Sequence, residues 1–109
     1  MAITKHRNII TILALVGIFI IISYSFLYWL LVHINITSFY GLDKESHIID
    51  YLYFSVTTIV ATGFGDILPQ TAIAKIIVIS EIIIGVIVIG LMIYFNTKRV
   101  TFRNKNGNN

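Results

Sequence analysis

Ala61-Thr62-Gly63-Phe64-Gly65-Asp66 is the stretch whose surroundings fix the architecture. Two glycines bracket an aromatic residue, and an aspartate closes the run. Glycine takes positive φ at little steric cost, so Gly63 and Gly65 let successive carbonyls face one side of the chain, which the alternation of a β-strand forbids. A simple glycine-rich turn would use the same residues, so the flanking sequence has to separate the two readings.

Those flanks belong in a membrane. Hydrophobic residues make up 57% of the 109 positions and charged residues only 12%, too apolar for one small soluble domain. No Lys, Arg, Asp or Glu occurs between Asn8 and Leu42. Within that interval residues 9–32 supply about 24 largely apolar positions, roughly 36 Å of helix, enough to cross a ~30 Å hydrocarbon core. Ile76 to Phe95 forms a second run of about 20 residues with one charge, Glu81. Lys5 and Arg7 before the first run would suit a secretion signal, but the run is far longer than a signal core and no small-x-small cleavage site follows it. The chain has no cysteine, which excludes disulfides, thiolate metal sites and thiol nucleophiles. Lys5, Arg7, Lys98, Arg99, Arg103 and Lys105 flank the termini, whereas only Lys44 and Lys75 lie between the spans. This places both termini in the cytoplasm and accounts for the net charge of +3 without a nucleic-acid partner.

Residues 1–8 read as a short cytoplasmic segment and residues 9–32 as an outer helix with Tyr24, Tyr28 and Trp29 near its far end as an interfacial belt. Residues 33–46 read as a solvated loop. Asn35-Ile36-Thr37 is a glycosylation sequon too close to the membrane to be used. From residue 47 to 61, Ile48, Ile49, Leu52, Tyr53, Val56, Ile59 and Val60 recur at three- and four-residue intervals, with Ser46 or Asp50 available as N-cap. This predicts about four turns of helix, too short to span. A short helix followed by irregular backbone between two spans is a re-entrant loop, tolerated at membrane depth only when buried in protein or lining a water-filled path. The second helix is predicted over 74–95, and residues 96–109, polar and Asn-rich, read as a disordered cytoplasmic tail. A dehydrating cation needs several oxygens in place of its water, and the carbonyls of residues 61–64 supply rings of them only if several copies converge on one axis.

Tyr53-Phe54-Ser55-Val56-Thr57-Thr58, followed by Ala61-Thr62-Gly63-Phe64-Gly65-Asp66-Ile67-Leu68-Pro69, resembles the pore helix, selectivity filter and exit of two-transmembrane potassium channels, and is particularly similar to the miniature viral channels and small bacterial relatives. The order outer helix, turret, pore helix, filter and inner helix over residues 9–95 is also that family's order. The resemblance implies an all-α membrane protein assembled as a homotetramer in the lipid bilayer. It implies carbonyls of Ala61, Thr62, Gly63, Phe64 and Gly65 that bind K+, with Tyr53, Phe54, Thr57 and Asp66 as filter support and no cofactor beyond the permeant ion. Phe64 is expected to point away from the axis and pack against Tyr53 or Phe54, and Asp66 to accept a hydrogen bond from Tyr53 or a backbone amide behind the filter.

Three positions need separate weighing. The family usually has threonine where Ala61 stands, and its hydroxyl completes the innermost ion site. Thr62 takes the place of Val or Ile, facing the supporting protein, so its hydroxyl does not substitute. Glu81 is the one ionisable side chain inside a span, either a hydrogen-bonded clamp between helices or an acid whose titration alters gating. Counting rises places it near Ser25 and Tyr28 on the first helix and near Thr57 or Thr58 on the short one. Gly85, one turn on, is a hinge or a close-packing residue, with Gly90 a second packing glycine. Val86, Ile89 and Ile93 would line an inner cavity. The leading reading is a passive potassium-selective channel. A weakly selective cation channel follows if Ala61 dominates, and a non-conducting membrane subunit is the reading from another class. No nucleophile and base stand at a spacing suited to an enzyme.

Overall fold

The structure is a computed structural model that describes the backbone of residues 2–107 and the side chains of residues 8–98 and Thr101. Two long helices, α1 (Ala2–Ile34) and α3 (Ala72–Gly107), pack along each other, and the short helix α2 (Ile48–Ile59) is inserted between them at the end where the chain crosses over. Asn8–Ile34 and Ala72–Lys98 have mean hydropathies of 2.6 and 3.0, and each is long enough to cross a membrane. Their Ile- and Val-rich sequences would favour strands in water. Without water to satisfy the peptide groups, a helix is the arrangement that pairs each of them within the segment. Helix α3 does not stop near Phe95 but continues to Gly107, so most of the tail expected to lack structure is helical.

The core is small and lies at the loop end. Tyr28, Phe39 and Phe54 stand edge-on to one another with centroids 5.0–5.4 Å apart. Val32, Leu42, Tyr51, Ile67, Ala74 and Val78 close round them. Edge-to-face rings of this kind contribute about 0.5–1.5 kcal/mol per pair beyond their burial. Along α3 the residues facing the rest of the chain are Ala74, Val78, Glu81, Gly85 and Val88, at alternating steps of four and three.

The predicted loop 33–46 is more structured than its polarity implied. Asn35 caps a short 3-10 turn, Ile36–Ser38, by accepting hydrogen bonds from the Thr37 amide at 3.0 Å and the Thr37 hydroxyl at 2.6 Å. The sequon therefore has a structural role. The next two residues form β1 (Phe39–Tyr40), antiparallel to β2 (Leu68–Pro69), with Phe39 opposite Pro69 and Tyr40 opposite Leu68. The Gln70 amide donates to the Ser38 carbonyl at 2.8 Å just beyond the pair. The architecture is thus helical with one minimal strand pair that ties the loop to the residues following Asp66.

Neither Ser46 nor Asp50 is the N-cap of α2. His47 holds that position, and Asp50 reaches back to accept its amide at 2.9 Å, an acidic group where the helix dipole favours one. Ser46 instead closes the preceding turn, accepting the Asp43 amide.

Gly41 follows β1 with φ +89°, and a Cβ there would overlap the Asp66 carbonyl oxygen. Gly41→Ala should lower the stability of the purified protein by about 1–3 kcal/mol, read as a fall in unfolding temperature. Gly17→Ala is the matched control, because Gly17 has open space around it inside α1 and should not lower that temperature.

Candidate functional site

Helix α2 ends in a closed turn rather than a frayed one. Val60 is the C-cap; the Ala61 amide donates to the Thr58 carbonyl at 2.9 Å and the Thr62 amide to the Thr57 carbonyl at 2.8 Å. This pair of bonds is the Schellman closure, which requires a left-handed residue just past the cap. Ala61 fills that place with φ +58°, although glycine is the usual choice, and among the described residues it is the non-glycine with positive φ. Gly63 and Gly65 follow at +62° and +84°. Positive φ therefore recurs at every second residue from 61 to 65, the pattern that frees successive carbonyls from strand-like alternation. The two glycines are legible in the sequence as positions of this kind, whereas nothing in an alanine marks Ala61 as a member of the same series.

The far end of the segment is tied back to α2. The Tyr53 hydroxyl donates to Asp66 Oδ2 at 2.7 Å, the expected partner, and Asp66 Oδ1 accepts the adjacent Ile67 amide at 3.1 Å. The bond to Asp66, then burial and the Asp66 charge, raise the Tyr53 phenol above its ordinary value, which keeps it a donor. The Tyr53 ring lies almost parallel to that of Phe64, 11° apart with centroids at 6.3 Å. Phe64 therefore packs against Tyr53, while Phe54 belongs to the core. Thr57 supports the segment through its carbonyl; its hydroxyl is turned to the Phe54 carbonyl at 3.0 Å. Phe64 remains 67% exposed in the single chain.

Glu81 is fully buried, and each of its oxygens has a partner: Oε1 accepts from the Tyr28 hydroxyl and Oε2 from the Ser55 hydroxyl, both at 2.6 Å. Its contact on α2 is Ser55, not Thr57 or Thr58. Helix α2 is inserted so that Ser55, two or three residues before the threonines that rise-counting points to, stands level with Glu81. Gly85 has no room for a side chain, because a Cβ would overlap the Ile59 carbonyl oxygen. It is a close-approach residue here, and α3 runs through it without a break. Gly90, expected to pack closely as well, has no neighbour in reach. Val86, Ile89 and Ile93 are turned off the face that α3 buries and are exposed, Val86 at 59% and Ile93 at 61%. Among the described residues no group of His, Cys, Asp or Glu is arranged to hold a metal ion.

A family pattern described as "Ion channel" matches residues 15–102, from the upper part of α1 through the segment after α2 and along α3. The chain belongs to the ion-channel family. It is accordingly an integral membrane protein and not an enzyme. Over 41 residues it is 51% identical to the potassium channel protein kcv of Paramecium bursaria Chlorella virus 1, a match that covers 38% of this chain and 44% of that one. The chain thus aligns with less than half the length of this relative. Family membership gives the two exposed apolar spans a lipid environment.

Because Ala61 bears a left-handed backbone that disfavours a side chain, Ala61→Gly should raise the stability of the purified protein by about 1 kcal/mol and Ala61→Val should lower it by at least as much. Unfolding temperatures of the two variants beside the wild type check the sign.

Proposed function

We propose that the chain is a passive potassium-selective channel in which four copies surround one axis and the carbonyls of Ala61, Thr62, Gly63, Phe64 and Gly65 replace the water of K+. The observation that carries this reading is the recurrence of positive φ at Ala61, Gly63 and Gly65 in a segment fastened at one end by the closure of α2 and at the other by Asp66 on Tyr53. Fastened backbone keeps a fixed oxygen spacing, and oxygen spacing and field are what distinguish K+ from Na+. The name of the viral relative supports potassium as the ion. The exposed Phe64 supports several copies, since a large ring beside the path needs neighbours to cover it. The Lys and Arg at both chain ends support an orientation with the termini in the cytoplasm. In that orientation the carbonyl end of α2 points toward the middle of the membrane, where its partial negative charge steadies a cation arriving from the inside.

Ala61 favours a second reading, a channel that selects K+ over Na+ only weakly, because the position lacks the hydroxyl that would complete the innermost oxygen cage. Purified protein in a planar bilayer with K+ on one side and Na+ on the other distinguishes the cases. A reversal potential close to the K+ equilibrium value is expected. One near zero would favour the weakly selective channel, and the absence of current would favour a non-conducting subunit. In the same recordings Ala61→Thr should increase both the K+/Na+ permeability ratio and block by internal barium; if neither moves, the missing hydroxyl is not a determinant. Chemical crosslinking should stop at four copies.

A further inference from the structure

Two polar side chains with no exposure, Glu81 and Ser55, meet outside the filter segment. Glu81 binds Ser55 on α2 and Tyr28 on α1, and one turn along α3 the backbone of Gly85 meets Ile59 on α2. The two contacts advance together, 81 to 85 on α3 and 55 to 59 on α2. The helices therefore run side by side, turn for turn, to the last residue before the Val60 cap. Helix α1 joins at the same level: Ser55 Oγ lies 3.0 Å from the Ile21 carbonyl, which also accepts from Ser25 Oγ at 2.7 Å. Ser55 is thus the joint of all three helices.

We propose that Glu81 is a positioning residue for permeation: with Tyr28 and Ser55 it sets the height of α2 against the two spans, and through the closed turn at 57–62 it sets the spacing of the filter carbonyls. The proposal rests on the reading of residues 61–65 as the conducting path. A carboxyl group inside a span disfavours insertion by about 3 kcal/mol, and an apolar side chain would hold α1 to α3 without that cost. What Glu81 adds is two directed acceptors, one for each neighbouring helix. The connection from Ser55 to the filter is short and stiff. Ala61 is six residues on, about 9 Å of helical rise, and the amides of Ala61 and Thr62 are bonded back into the same helix. A displacement of α2 at Ser55 has no flexible linker in which to dissipate.

The hydrogen count supplies a specific test. Ser55 has one hydroxyl hydrogen and two acceptors within reach, Glu81 Oε2 and the Ile21 carbonyl. An amide at position 81 would accept from Tyr28, donate one hydrogen to Ser55 Oγ and free the serine hydrogen for Ile21, so each link of the joint is kept and one amide hydrogen is left over. A leucine there would leave the Tyr28 hydroxyl without its partner and Ser55 without its link to α3.

The experiment compares wild type, Glu81→Gln, Glu81→Leu, Ser55→Ala and Tyr28→Phe in planar bilayers, with particle size and unfolding temperature measured on the same preparations. Glu81→Gln is expected to keep the K+/Na+ permeability ratio within about twofold, whereas Glu81→Leu and Ser55→Ala should lower it about tenfold, the equivalent of roughly one lost hydrogen bond, with particle size unchanged. Tyr28→Phe should shift the ratio in the same direction. Lower unfolding temperatures with an unmoved ratio would overturn the proposal, leaving Glu81 as packing alone. If Glu81→Leu fails to assemble, Ser55→Ala and Tyr28→Phe decide, and wild-type ratios in both overturn it. A selective wild type with indifferent variants defeats this proposal only; a wild type without selectivity removes the conducting-path reading and this proposal together.

Discussion

Backbone that leaves helical geometry between two apolar spans must still find partners for its amides and carbonyls, and the rest of this structure is arranged around that requirement. The irregular segment begins immediately after α2, where two amides turn back onto Thr57 and Thr58. It ends at Asp66, whose carboxylate binds Tyr53 and the Ile67 amide, and the next residues pair with β1. Between those anchors lie the residues whose carbonyls are left free. Freedom there is possible because both ends are held.

The single chain covers only part of its apolar surface. Its aromatic core fixes how α1, α2 and the loop meet, yet Phe64, Val60, Val86 and Ile93 remain uncovered. The faces of α1 that carry Leu15, Ile18 and Phe19 need only lipid. The side chains thus divide into those that fold the chain and those that the chain by itself leaves exposed.

Much of this was legible in the sequence because its signals are long or chemically unusual. Two uninterrupted apolar runs mark the spans, a three-and-four periodicity marks α2, and Gly63-Phe64-Gly65 marks backbone that has to leave regular geometry. The hidden parts are short, distant or carried by residues without special propensity. The β1–β2 pair takes two residues from each side and shows no alternation. Ala61 is left-handed because the turn requires it, and alanine gives no hint of that. Glu81 declared itself as an ionisable group in a span, but its partner on α2 depends on how far that helix is inserted, which rise-counting does not supply. The Asn-rich end of α3 looked too polar to be ordered, and there composition outweighed the continuity of a helix already nucleated by the span before it.

The pairing of Phe39–Tyr40 with Leu68–Pro69 makes the loop after α1 and the residues beyond Asp66 one body, with Gly41 wedged against the Asp66 carbonyl. Change in the outer loop is therefore not neutral along its length. Insertions, tags or binding epitopes fit only in the stretch from Asp43 to Ser46, the turn held by its own side chains, where lengthening the chain leaves the strand pair in register. On the N-terminal side of that turn, even one added residue would be felt at Asp66 and the irregular segment it closes.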